Sequence, residues 1–100
     1  MKQVDLHRAA TNEMIEAARF YEQRRKGLGL RFLRAVEEIC AKIGEGPDLG
    51  APAGGVERKC RVPRFPFDVV YSARGDGILV LAIKHHRRKP DYWKWRRYRP

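Results

Sequence analysis

The sequence is poor in the devices that small chains use as staples, anchors or addresses. It has two cysteines in 100 residues, Cys40 in a helical pattern and Cys60 in a strand-like one, with no Cys-x-x-Cys spacing. A disulfide framework is therefore not encoded, and both thiols read as reduced, small, apolar side chains. No apolar run approaches the roughly 20 residues that span a bilayer. The opening Met1-Lys2-Gln3-Val4-Asp5 holds no apolar stretch of the kind a signal peptide needs. A cytoplasmic chain with no membrane partner is expected. Repeats and low-complexity blocks are absent. His85 and His86 are adjacent, and neighbouring strand residues face opposite ways. With no acidic or cysteine ligand at suitable spacing, neither a metal site nor a cofactor is expected.

Acidic side chains are scarce as well: 12 Asp and Glu stand against 22 Lys and Arg, a formal charge of +10. The deficit is one-sided. Residues 1–50 carry 9 basic and 8 acidic side chains, whereas residues 51–100 carry 13 and 4, a net of +9. Such a field repels itself in a compact state and attracts a polyanion or an acidic chain. The 43% apolar and 10% aromatic content nevertheless describes a folded chain. The length suits one domain, residues 1–100, with a core of its own.

Residues 3–7 alternate polar and apolar like a short half-buried strand. Thr11 or Asn12 is placed to cap the helix that follows, with Met14, Ile15, Ala18 and Tyr21 at helical spacing. Gly27 and Gly29 bracket Leu28 as a breaker. A second helix then runs to about Ile43, its stripe being Leu28, Phe32, Val36, Ile39 and Ile43. So short a link folds the pair into an antiparallel hairpin. Residues 44–55, rich in Gly, Pro and Ala, form a loop expected to be the most mobile internal segment. Strands follow at 57–63, 67–73 and 77–84, the last apolar on both faces and so expected at the sheet centre. Arg74-Gly75-Asp76-Gly77 supplies a hairpin turn. The class is α+β, in the order β-α-α-β-β-β, a helical hairpin on a small, mostly antiparallel sheet.

Residues 85–100 form a basic, aromatic tail in which seven residues are Lys or Arg and four are Tyr or Trp. Cations interleaved with aromatics suit contact with phosphates and unpaired bases. Trp93 reads first as a cover for the core or sheet edge, while Trp95, Arg96 and Arg97 read as exposed contact residues. No helix combines a basic face with a preceding helix-turn-helix pattern, so a stand-alone DNA-binding regulator is not indicated.

Several motifs then resemble the RelE/ParE superfamily of type II toxin–antitoxin toxins. They are Glu13-x-x-Glu16-Ala17 with Tyr21, Gly27-Leu28-Gly29-x-x-Phe32, Arg64-Phe65-Pro66-Phe67-x-Val69-x-Tyr71, and Ala82-Ile83-x-His85-x-Arg87-Arg88-x-Pro90-x-Tyr92-Trp93. Their order and spacing favour the ParE-like branch. The resemblance implies a toxin neutralised by a cognate acidic antitoxin, in a higher-order complex, with no metal or cofactor. On that basis Arg58, Arg61 and Arg64 are the candidate cations, and Tyr21 and Phe32 the candidate apolar contacts, for the antitoxin.

The same resemblance leaves two targets open. ParE-like members poison DNA gyrase by binding. That places the target surface on His85, Arg87, Arg88, Tyr92, Trp93, Trp95, Arg96 and Arg97. RelE-like members cut messenger RNA on the ribosome, which requires a base, cations for the charged phosphorane and an acid. By gap-free counting, the RelE-like catalytic positions fall on Lys59, Arg61, His86 and Tyr92, but the middle-strand arginine falls on Asp68. A carboxylate there repels phosphate.

Overall fold

The computed structural model describes residues 1–97; Tyr98, Arg99 and Pro100, the end of the basic tail, lie outside the described residues. Strand β1 (Gln3–Leu6) leads into helices α1 (Arg8–Arg24) and α2 (Leu28–Glu45). Then come β2 (Ala51–Pro52), β3 (Arg58–Arg61), β4 (Phe67–Arg74), β5 (Gly77–His85) and a 3-10 turn, Lys94–Arg97. The sheet order is β1-β5-β4-β3-β2. β1 runs parallel to β5, its neighbour in the sheet though not in sequence, since the helical hairpin and three strands lie between them. The other pairings are antiparallel. The expected α+β architecture is present, with a short fifth strand, β2, inside the segment read as loop.

α2 buries Phe32, Ala35, Val36, Ile39 and Ile43 against the sheet, the stripe its 3.6-residue period dictates. α1 buries only Ala10, Ala17 and Ala18, so its small residues let it lie close. The cap of α1 differs from expectation. His7 ends β1 by donating its backbone N–H to Val80 O at 2.8 Å, and its Nδ1 accepts from Ala9 N at 3.0 Å. The helix therefore starts at Arg8, ahead of Thr11. Gly27 does break the chain, in the left-handed region at φ 88°. Gly29 does not: it sits inside α2, where an added Cβ would lie 2.6 Å from Ala18 O. Its glycine is required by the close approach of the two helices.

β5 is interior, but β4 is the middle strand. Residues 45–55 are tied down more than their composition implies. The Tyr71 hydroxyl donates to Pro47 O at 2.6 Å and accepts from Gly50 N at 2.9 Å, and Arg58 Nη1 donates to Gly50 O at 2.8 Å. The face of the sheet opposite the helices carries a second apolar cluster, Val70, Leu81, Ala82 and Trp93. The tail packs there as a third layer.

Candidate functional site

β1 stops at Leu6 while β5 continues to His85, so the edge of β5 beyond Val80 has no strand beside it. Two side chains close that edge. Leu81 O accepts from Arg96 Nη1 at 3.0 Å, and Ile83 N donates to Glu13 Oε1 at 3.1 Å. Arg96 reaches both Glu13 oxygens, at 2.8 and 3.1 Å, and the Tyr92 hydroxyl donates to Glu13 Oε2 at 2.7 Å. Arg88 stacks 3.9 Å from the Tyr92 ring centre. Burial first, then the Glu13 carboxylate, pushes the Tyr92 phenol well above its ordinary range, so it stays a donor.

A second tether joins the tail to the β2–β3 loop. Arg97 donates to Glu57 at 2.6 and 2.7 Å, and the Glu57 side chain is 2% exposed. Burial pushes the Glu57 carboxyl up, but the Arg97 hydrogen bonds and the Arg97 and Lys94 charges outweigh it and hold it below its ordinary value.

These pairs correct the expectation of exposed Arg96 and Arg97. Arg96 is buried and Arg97 is half-covered, because two carboxylates distant in sequence neutralise them. Nothing local in the sequence marks Glu13 or Glu57 as holding the tail. The signal was thin: Glu57 is the sole acid from residue 51 to residue 67. Trp93 is 1% exposed and belongs to the core, so it does not offer a target surface. Trp95 is 54% exposed, edge-on to His7 at 5.7 Å. Arg87 and Arg88 are exposed, and His85 and Tyr92 are half-buried.

On the sheet face opposite the helices, β3 turns Cys60 inward and leaves Lys59 and Arg61 exposed. Asp68 stands opposite Arg61 on one side and Lys84 on the other, and its Oδ1 lies 3.0 Å from His86 Nε2. A protein carboxylate thus sits at the centre of the strand cations. Lys59 lines a cleft of about 330 Å³ with Asp68, Lys84, Trp93 and the Pro52–Gly54 loop. Tyr92 lines a different cavity, with Glu13, Phe67 and His85. The structure gathers Arg61 and His86 around Asp68 but does not bring Tyr92 to Lys59. Among the described residues no group of three or more His, Cys, Asp or Glu is placed to hold a metal.

Of the candidate antitoxin contacts, Arg61 and Arg64 are exposed, and Arg64 alone among the non-glycine residues described takes a positive φ, 69°. Arg58 is half-buried on Gly50 O. Tyr21 is half-buried, its ring against Phe32, Phe65 and Phe67 at 5.4, 4.9 and 6.2 Å. Phe32 is 0% exposed. Its ring packs against Tyr21, Phe65 and Phe67, and no partner reaches it without opening the core.

Comparison with known proteins adds the following. The family model described as the ParE toxin of the type II toxin-antitoxin system, parDE, matches residues 4–90. No curated protein matches the chain. Among solved structures, a chain of the chromosomal ParDE TA system from P. aeruginosa is similar in fold, with a TM-score of 0.63 at 20% identity. The similarity covers 85% of this chain and 96% of that one. No helix among the described residues is long and apolar enough to cross a membrane.

Proposed function

The chain belongs to the ParE toxin family of type II toxin–antitoxin systems, and from that premise we propose that it arrests growth by binding DNA gyrase, without chemistry of its own. The observation that carries this reading is Asp68. An RNA phosphate brought to Arg61 and His86 meets the Asp68 carboxylate, 3.0 Å from the His86 ring. Two like charges about 4 Å apart repel by roughly 4 kcal/mol at an intermediate dielectric, enough to undo much of what one cation supplies. The Tyr92 hydroxyl, the other expected proton donor, is engaged by Glu13 at 2.7 Å. A binding toxin needs neither group to be free.

Family membership carries a cognate antitoxin as partner. Lys59, Arg61 and Arg64 on the strand side and Arg87 and Lys89 at the start of the tail are exposed, and supply the field that an acidic antitoxin neutralises. The gyrase surface is the outward part of the tail: Arg87, Arg88 and Trp95, held on a rigid base by the Glu13 and Glu57 pairs. An exposed tryptophan among arginines is the composition of an interface anchor. Immobilised protein is expected to retain purified gyrase, and Trp95→Ala to weaken that retention about tenfold or more. Failure of the wild type to retain gyrase, with programmed ribosomes retained instead and their message cut, would replace this reading by the nuclease one.

A further inference from the structure

Three stretches distant in sequence bring exposed cations to one end of the molecule. The Tyr21 ring, one turn before the tip of the hairpin α1–α2, lies 4.9 Å from Phe65 in the β3–β4 turn. Arg24, Arg25 and Lys26 at the tip and Arg64 in the turn therefore share that end. Phe67 packs 5.0 Å from His85, and His86 N donates to Pro66 O at 2.9 Å, which adds the start of the tail, Arg87 and Arg88. All six cations are exposed. Carboxylates nearby are engaged elsewhere: Glu13 by Arg96, Asp68 by His86 and Glu22 by backbone N–H groups of the tip. Glu16 remains, on the wall of the cavity that Arg88 lines.

The backbone at this end is fixed rather than loose. Glu22 accepts from Gly27 N at 3.0 Å and from Gly29 N at 3.0 Å, which closes the turn that Gly27 makes at φ 88°. Arg64 keeps a left-handed backbone at φ 69°, where glycine would sit without strain. Strain of that kind gathers at functional positions. The aromatic rings here are already covered: Arg24 lies 4.7 Å from the Phe20 ring centre and Arg88 3.9 Å from that of Tyr92. What faces outward is therefore charge, with guanidinium groups over the faces on which unpaired bases would stack.

We propose that this end contacts the phosphate backbone of the duplex DNA that gyrase holds, with Arg24, Arg25, Lys26 and Arg64 on phosphates while Arg87 and Arg88 face the enzyme. The inference rests on gyrase as the target and names a second partner beside it. Three features choose the occupant. A duplex with one negative charge per about 1.7 Å of axis matches cations spread over separate elements. Covered rings leave no platform for a single strand. The tip is continuous with the tail surface that meets gyrase, so a chain seated there meets enzyme and DNA together.

The test uses the full-length chain and a short labelled linear duplex, with binding followed by fluorescence anisotropy as salt is raised. Wild-type affinity is expected to fall steeply with salt. Arg24→Gln with Arg25→Gln and Lys26→Gln is expected to reduce the slope of log affinity against log salt by about 3, with an unchanged thermal melt. Arg64→Gln, on a separate element, is expected to reduce it by about 1. Lys2→Gln with Lys42→Gln, at the opposite end of the molecule where Lys2 N donates to Gly44 O, is expected to leave it unchanged. With gyrase and plasmid, the tip variant should need about tenfold more protein to trap the same amount of cleaved DNA. Immobilised, it should retain DNA-free gyrase as the wild type does. An unchanged slope, an equal effect of the Lys2 and Lys42 substitutions, tighter binding of single-stranded RNA or undiminished trapping each overturns the proposal, while retention of gyrase keeps the target standing. Wild type that retains no gyrase refutes the target itself, and the inference falls with it.

Discussion

Replacing Glu13 by alanine removes three interactions at one point: the Arg96 ion pair at 2.8 Å, the Tyr92 hydroxyl bond at 2.7 Å and the Ile83 N–H bond at 3.1 Å. The Arg96 side chain is 7% exposed, so its guanidinium is left without a counter-charge or enough water. Breaking a buried pair from one side costs about 3–5 kcal/mol. The orphaned N–H and hydroxyl act through the same group and do not add independently, so about 4 kcal/mol is the expected total. In a chain of this length that lowers the melting temperature by roughly 15–30 °C. Thermal and urea denaturation followed by circular dichroism measure it. The double variant Glu13→Ala with Arg96→Met is expected to recover part of the loss, because no charge then remains buried. A cost below about 1 kcal/mol is what an exposed pair contributes. It would mean that Arg96 is solvated and the tail a loose arm, refuting the rigid base on which the target surface rests.

Glu57, with its carboxyl held below the ordinary value of 4.5, contributes stability that is complete above that value and lost as pH falls through its folded-state pKa. Wild-type stability is therefore expected to fall more steeply below about pH 4.5 than that of Glu57→Gln; parallel acid-melting curves would contradict it. Burial pushes the Cys40 thiol up to about 11, leaving roughly one thiolate in a thousand at pH 8. Iodoacetamide is expected to modify the native protein far more slowly than the urea-unfolded chain; equal rates would show the thiol to be solvated. Arg64 at φ 69° carries left-handed strain of about 1–2 kcal/mol that glycine relieves, offset in part by glycine's unfolded-state entropy. Arg64→Gly is expected to raise the melting temperature by a few degrees while weakening antitoxin binding. A lower melting temperature would show that the side chain stabilises its turn.

Much of the architecture is legible in local periodicity. The α2 stripe, the doubly apolar β5 and the Gly75 turn each follow from patterns within a few residues, and Trp93 reads as core by its neighbourhood. The two tail arginines mislead for one reason. Arg96 and Arg97 look like solvated cations because their partners lie 83 and 40 positions away in sequence. Charge composition cannot register such pairs. Phe32 reads as an apolar contact, yet the stripe that contains it is the buried one. The cap at His7 leaves no local signal because the chain passes from strand to helix with no linker, so the residue that follows β1 also caps α1. β2, two residues including a proline, has no period to detect.

Arrest of gyrase by binding, as proposed, is tested most directly by trapping of the cleaved-DNA complex. Purified protein titrated into gyrase, ATP and supercoiled plasmid should accumulate linear, protein-linked DNA in proportion to the toxin added. Asp68→Ala should trap as well as the wild type, and Trp95→Ala should trap less. Plasmid that stays supercoiled at saturating protein, beside programmed ribosomes whose message is cleaved, would contradict the account.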